Sequence, residues 1–224
     1  HCTLVICDAC RTRSAKLSLV QAEPAPVGRR QRRAQATRAA LVEAALDLFE
    51  EQGYVATSID DIAEAADVAR RTFFRYFPSK ESVLLPEAAD YDTAFAAALA
   101  SEPLPLTVHA IARAFIALAE QMQADEQLHR RERIIRDHRE HFRSFTQLRI
   151  ESGREQLGQL LATRIGCAAD DTSVLTAVDL GLLAFAHGYM QWFDAGSEGS
   201  LVDPVARSFE LTIALASGAR TIGS

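Results

Sequence analysis

The chain has 224 residues, 48% of them hydrophobic and 24% charged, with a net charge of −6 at pH 7. That length allows one or two domains with cores of their own, and the hydrophobic content is that of a soluble globular protein rather than a disordered or fibrous one. Four cysteines, three of them within the first ten residues, imply no disulfide framework. The most apolar run, Leu180 to Phe193, is too short for a membrane span and contains His187, so a cytoplasmic protein with no membrane partner is expected.

In chain order, His1, Cys2, Cys7 and Cys10 come first, in H-C-x4-C-x2-C spacing. The ligand types suit a metal, but nothing around them can build a fold. The segment drifts into Gln21-Ala22-Glu23-Pro24-Ala25-Pro26, a linker. Residues 1–30 are therefore expected to be a disordered extension and basic arm, with no metal and no signal peptide. Residues 28–40 carry Arg29, Arg30, Arg32, Arg33 and Arg38 and no acid. From Leu85 onward 12 arginines face 19 acids, a balance of −7. A basic segment on an acidic body orients the molecule toward a polyanion.

A first helix is expected from about Gln31 to Gln52, stopped by Gly53. Ser58 with Asp61 reads as a capping box: a hydroxyl for orphan amides, and an acid at the positive end of the dipole. Ile59, Ile62, Ala63 and Ala66 recur at helical spacing. The chain turns at Ala66-Asp67-Val68, and Arg70 to Tyr76 resumes a helix with Phe73 and Phe77 inward. Arg70, Arg71, Thr72 and Phe74 remain outward near its start. A short basic second helix across a tight turn is a helix-turn-helix, whose second helix enters a DNA major groove. Pro78-Ser79 ends it and starts a long fourth helix to about Ala100, with Pro86 as a kink or break.

The residues Thr57-Ser58-Ile59-Asp60-Asp61-Ile62-Ala63, Val68 and Thr72-Phe73-Phe74-Arg75-Tyr76-Phe77-Pro78-Ser79-Lys80 resemble the TetR family of bacterial transcription regulators. Ala44-Ala45-Leu46-Asp47-Leu48-Phe49 and Gly53-Tyr54 fit that family's first helix and its glycine stop. The resemblance covers about Arg38 to Leu85. It implies an all-α protein: a helix-turn-helix DNA-binding domain at 31–85, then a helical effector-binding and dimerisation domain at 86–224. Asp67 stands where the family usually has glycine. Arg71 stands where it often has a smaller residue, so no base preference transfers from a relative.

Beyond the joint Glu102-Pro103-Leu104-Pro105, helices are expected at Thr107–Ala124, Asp125–Asp137, Glu140–Ile165, Thr172–Asp194 and Leu201–Ser217, punctuated by Gly166 and Gly196-Ser197-Glu198-Gly199. No phosphate loop, nucleophile elbow or His-Glu metal pair occurs, and His138 with His141 reads as a solvated face, so neither enzyme activity nor a cofactor is expected. Ala177, Gly181, Ala184 and Gly188 form a small-residue stripe. Glycine inside a helix costs about 1 kcal/mol and wants a packing reason. A second subunit is the expected reason, since the resemblance implies that the last two helices pair with a partner's. Burial within one monomer is the alternative. For an apolar effector pocket the candidates are Phe115, Met122, Phe142, Phe145, Phe185, His187, Tyr189 and Trp192. The arginine-rich run from His129 to Arg149 is either a salt-bridged helix or part of a site for an anionic effector such as an acyl-CoA.

The expected function is thus a homodimeric repressor released from a near-palindromic double-stranded DNA operator by a small molecule. Arg70, Arg71 and Thr72 would read base edges, and Thr57, Ser58, Phe74, Tyr76 and Lys80 would hold phosphates. The arginine arm would add phosphate or minor-groove contacts. One alternative is a ligand-independent DNA-binding protein of the same fold, marked by the lack of an enclosed apolar cavity. The other is a helical enzyme or carrier, marked by the lack of a basic reading surface.

Overall fold

The computed structural model describes residues 28–84 and 88–218, and within the helices it leaves aside the side chains of residues 31, 88–91 and 143–152. The His1–Cys10 array and the candidate side chain Phe145 lie outside what is described. Every regular element among the described residues is helical. They are α1 (Arg29–Gln52), α2 (Ile59–Ala65), α3 (Arg70–Tyr76), a 3-10 helix (Glu81–Leu84), α4 (Ala88–Ser101), α5 (Val108–Gln123), α6 (Leu128–Asp137), α7 (Arg139–Ile165), α8 (Thr172–Asp194) and α9 (Val202–Ala216). The chain is all-α, as its patterning implies.

Two expectations about element limits change. α1 begins at Arg29 behind Gly28, so the arginines read as a flexible arm lie on helix. The long fourth helix is also absent as one piece: Ser79 opens a turn, with its amide donating to the Ser82 hydroxyl at 3.2 Å, and a 3-10 helix follows. α4 starts afresh at Ala88, beyond Pro86. Proline lacks the amide a helix needs and clashes with the preceding turn.

The described residues fall into two compact units, residues 28–84 with 130–143, and residues 88–129 with 144–218. In the first, Leu41, Val42, Ala45, Leu46 and Phe49 of α1 meet Ile62, Phe73, Phe77, Val83 and Leu84. Ile134 of α6 and Phe142 of α7 complete this core, with Tyr54 5.0 Å from the Phe142 ring. Phe142 is therefore a core residue of the helix-turn-helix unit and not part of an effector pocket in the other unit.

The arginine-rich run explains why that segment belongs there. Arg130 bonds Glu43 at 2.8 Å, Asp47 at 2.6 Å and Glu50 at 2.7 Å, all on one face of α1. Arg133 also pairs with Glu50. These two guanidiniums brace α1, so they are not available to an anionic effector. The Arg130 hydrogen bond, with the charges beside it, holds the Glu50 carboxyl below its ordinary value.

In the second unit Phe115 of α5 is fully buried, with ring centroids 5.0 Å from Phe95, 5.5 Å from Phe209 and 6.1 Å from Phe185. The small stripe of α8 faces this interior. A Cβ on Gly181 would stand 2.0 Å from Cε2 of Phe115, and one on Gly188 would stand 2.5 Å from Cα of Val205. Gly181 and Gly188 therefore seat α5 and α9 of their own subunit, with Ala177 and Ala184 buried on the same stripe, where the sequence suggested a partner's helix. Gln123 of α5 accepts from the Leu201 amide at 2.7 Å, and the Ser200 hydroxyl accepts from the Asp203 amide at 3.1 Å, so both serve the start of α9. Arg164 donates to Leu99 O at 2.9 Å near the end of α4, where a cation suits free carbonyls.

α8 is long and apolar enough to cross a membrane by length and composition alone, which the shorter run Leu180 to Phe193 did not suggest. Its apolar residues instead divide between an inner face and an outer one, where Leu180, Leu183 and Met190 are exposed.

Candidate nucleic-acid interface

Local sequence builds this site. The Ser58 hydroxyl accepts from the Asp61 amide at 3.1 Å and the Asp61 carboxylate accepts from the Ser58 amide at 2.8 Å, the reciprocal capping box. At the other end of α2 the Asp67 amide donates to Glu64 O at 3.0 Å and the Val68 amide to Ala63 O at 2.9 Å. These are the two bonds of a Schellman stop, and they need a left-handed residue between helix and turn. Asp67 supplies it at φ 52°. Aspartate tolerates that region better than most residues, at a cost of about 1 kcal/mol that glycine would not incur.

α3 is then fixed by Phe73 and Phe77, whose rings lie 5.6 Å apart in the core. Burying each side chain contributes about 1.5–3 kcal/mol. With these two inward, helical period turns Arg71 and Arg75 to the opposite side, and Arg70, Arg71, Phe74 and Arg75 are all exposed. The arginines are not equivalent. Arg70 pairs with Asp60 of α2 and lies 5.6 Å from the Phe74 ring. Arg75 lies over the Tyr76 ring at 4.9 Å and donates to its hydroxyl at 3.1 Å. Arg71 has no acid partner among the described residues. A free guanidinium near the start of a reading helix suits the paired acceptors on a guanine edge. Thr72 is half-buried beside it.

Two expected phosphate contacts are placed differently. Thr57 is only 2% exposed, and its hydroxyl donates to Gly53 O at 2.9 Å while lying 3.3 Å from Gln52 Nε2. It ties the end of α1 to the start of α2 and has no face toward a ligand. Lys80 donates to Tyr54 O at 2.7 Å and to Thr57 O at 2.8 Å, with its Nζ 4.2 Å from the Tyr54 ring centre. Burial lowers its pKa. Two of its three N–H groups are spent holding the loop between α1 and α2, leaving one for a phosphate. Sequence spacing could not reveal either role, because both partners are backbone oxygens of a loop.

Beneath that loop Tyr54 donates to Glu81 Oε1 at 2.5 Å, and burial together with that bond raises the phenol far above its ordinary pKa. Its ring lies 5.5 Å from His138 and 6.0 Å from His141. The two histidines, read as a solvated face, thus flank a buried tyrosine. No metal-ligating cluster occurs among the described residues.

The effector candidates scatter. Phe115, Met122 and Trp192 are buried, Phe185 and Tyr189 are half-buried, and the rings of Phe185 and Tyr189 stack 6.4 Å apart. Trp192 lies 5.7 Å from His129, whose Nδ1 is 2.6 Å from Ser197 O. His187 is exposed and bonds Gln191 at 2.8 Å, so it faces away from this interior. A small apolar cleft lined by Leu106, Ile111, Leu161, Ile165, Ser173, Val174 and Ala177 contains none of them.

Comparison with known proteins matches both parts of the chain. Residues 41–85 match the model of bacterial regulatory proteins of the tetR family, and residues 106–216 match the MftR C-terminal domain. The transcriptional regulator TcmR of Streptomyces glaucescens is 50% identical over 76 residues, 34% of either chain. The putative mycofactocin biosynthesis transcriptional regulator MftR of Mycobacterium tuberculosis is 44% identical over 52 residues, 23% of this chain and 26% of MftR. The matched stretches thus span about a third or less of these relatives. Among solved structures, Thermus thermophilus FadR, a TetR-family repressor in complex with lauroyl-CoA, has a TM-score of 0.50 at 24% identity, covering 79% of this chain and 93% of FadR. That likeness speaks to the fold. The capped helix-turn-helix, its outward arginines and the two family matches in sequence place this chain in the TetR family of bacterial transcriptional regulators, a family of regulators and not of enzymes.

Proposed function

We propose that the protein is a homodimeric, cytoplasmic repressor that binds a near-palindromic operator and is released from it by a small molecule. The observation that carries this is α3: seven residues pinned by two buried phenylalanines, with three arginines on the outward side. Arg71 reads a base edge, Arg70 does so after leaving Asp60, and Ser58, Phe74 and Tyr76 meet the phosphate backbone, which fixes register. The exposed ion pair between Arg70 and Asp60 is worth at most about 1 kcal/mol, so a phosphate or base can displace it.

A palindrome requires two reading helices about one DNA turn, roughly 34–36 Å, apart. The outer faces of α8 and α9 support the pairing: Leu180, Leu183, Met190, Leu211 and Leu215 remain exposed there, with Leu183 at 69%. Exposed apolar surface of that kind marks an interface. The aromatic interior around Phe115 supports an effector with a largely apolar body. The acyl-CoA reading draws only on FadR, and Arg130 and Arg133, which would have favoured an anion, are committed to α1. A ligand that lowers operator affinity 100-fold must favour the released state by about 2.7 kcal/mol.

Selection of bound duplexes from a random pool tests the reading. A two-fold symmetric motif supports it, and recovery of no motif refutes it. Leu183→Glu should turn the dimer into a monomer in sedimentation while the helical circular dichroism is kept. A dimer unaffected by that charge would move the seam elsewhere.

A further inference from the structure

The first turns of α1 carry charge of the wrong sign for a free helix. Arg29, Arg30, Arg32 and Arg33 occupy them, Gly28 provides no side-chain cap, and the first turn holds no acid. A helix N-terminus bears about half a positive charge, and cations there are unfavourable. The acids that could offset them lie further along: Glu43, Asp47 and Glu50 begin ten residues after Arg33 and are taken by Arg130. All four arginines are exposed, and none has an acid partner among the described residues.

This end of α1 belongs to the same unit as the reading helix. Arg38, two turns further on, lies over the ring of Phe77 at 4.9 Å, and Phe77 is the residue that closes α3. That contact ties α1 to the end of α3 within one unit. The shape of this end of α1 decides what it can bind. As an extended arm, the arginines could thread a minor groove about 6 Å wide. As an α-helix roughly 10–12 Å across, the segment itself is too wide to enter that groove.

We propose that the first two turns of α1 are a phosphate clamp: Arg29, Arg30, Arg32 and Arg33 lie along the DNA backbone flanking each half-site, and the duplex in turn stabilises this part of the helix. The inference rests on the operator-binding reading above. The clamp adds affinity and lengthens the footprint without adding base preference. It also couples binding to local order, because phosphates cancel the charge that destabilises these turns in the free protein.

The test is a variant with R29Q, R30Q, R32Q and R33Q together, beside one in which the same four become lysine. Glutamine and lysine both keep the helix, which circular dichroism checks. Binding is measured by fluorescence polarisation, over a range of salt, on the selected operator and on random duplex. The glutamine variant should bind both duplexes more weakly by the same factor. Its slope of log K against log salt should become shallower by about 0.9 for each phosphate it no longer neutralises. The lysine variant should recover the wild-type slope, since a phosphate accepts a point charge where a base edge needs the guanidinium fork. Trimming the duplex flanks should weaken the wild type and leave the glutamine variant unchanged. Hydrogen exchange at the amides of residues 32–36 should slow when DNA is added.

An unchanged slope in the glutamine variant, with operator preference retained, overturns the clamp and leaves the operator reading intact. A lysine variant that fails to recover the slope overturns it in favour of base or groove readout. Failure of the wild-type protein to prefer any duplex overturns the operator reading itself.

Discussion

Gly188→Ala separates two accounts of α8. The added Cβ would stand 2.5 Å from Cα of Val205, 2.7 Å from its amide nitrogen and 2.7 Å from Pro204 O. All three are backbone atoms, so no rotamer change relieves the clash, and the start of α9 must retreat by about 1 Å to reach ordinary contact distance. Over-packing of this kind costs about 1–3 kcal/mol, and a clash with backbone belongs at the upper end. Replacing glycine by alanine inside a helix returns about 1 kcal/mol. The net loss is about 1–2 kcal/mol, which lowers the melting temperature of a chain this size by roughly 2–8 °C.

Gly158→Ala is the internal control. Gly158 lies inside α7, and a Cβ there meets nothing within 4 Å. That variant should gain up to about 1 kcal/mol and melt a few degrees higher. Thermal denaturation of both variants, with sedimentation at micromolar concentration, gives the answer. If Gly188→Ala melts at or above the wild type but dissociates the dimer, the small stripe is the subunit seam after all. The internal packing argument would then be refuted.

Arg71→Ala should weaken operator binding by about 1–3 kcal/mol and relax preference at one base, read by polarisation on operator variants; equal loss on every sequence would make Arg71 a phosphate contact. Lys80→Ala removes two bonds to loop carbonyls and the contact with the Tyr54 ring, so it should cost about 1–3 kcal/mol of stability in a thermal melt. A variant of unchanged stability whose salt slope is shallower by about one unit per subunit would show instead that Lys80 serves DNA. Glu50 is held below its ordinary value of 4.5 by the hydrogen bond from Arg130, and at Glu81 the bond from Tyr54 and its neighbours outweigh the opposing effect of burial. A depressed carboxylate stabilises the fold fully above its unfolded value, and that contribution is lost as pH falls through the folded one. The protein should therefore lose stability progressively below about pH 4.5, and Glu50→Gln should be less stable at pH 7 with a flatter acid limb. An acid limb identical to that of the wild type would remove the Arg130 pair from the account.

What could be read from sequence here is what local chemistry determines. The capping box at Ser58, the left-handed turn at Asp67 and the inward placement of Phe73 and Phe77 each depend on residues within a few positions. The helix-turn-helix was legible for that reason. Helical period likewise marks which residues share a face, but not what covers that face. Thr57 and Lys80 look like phosphate ligands until the loop carbonyls they bond are in view. Phe142 and Arg130 read as effector-domain residues because their partners lie far off in sequence, Tyr54 for Phe142 and the acids of α1, 80 to 87 positions away, for Arg130. The stripe on α8 shows the limit most sharply. The premise that the α8 glycines have a packing reason was sound, since Gly181 meets Phe115 and Gly188 meets Val205, although Gly158 in α7 has no such neighbour. Which chain supplies the neighbour is a separate question, and period does not address it. A seam between subunits is better sought in apolar surface still uncovered once the subunit's own helices are packed. On α8 and α9 that criterion selects Leu180, Leu183, Met190, Leu211 and Leu215, whose large side chains carry no sign of the close approach that made the glycines conspicuous.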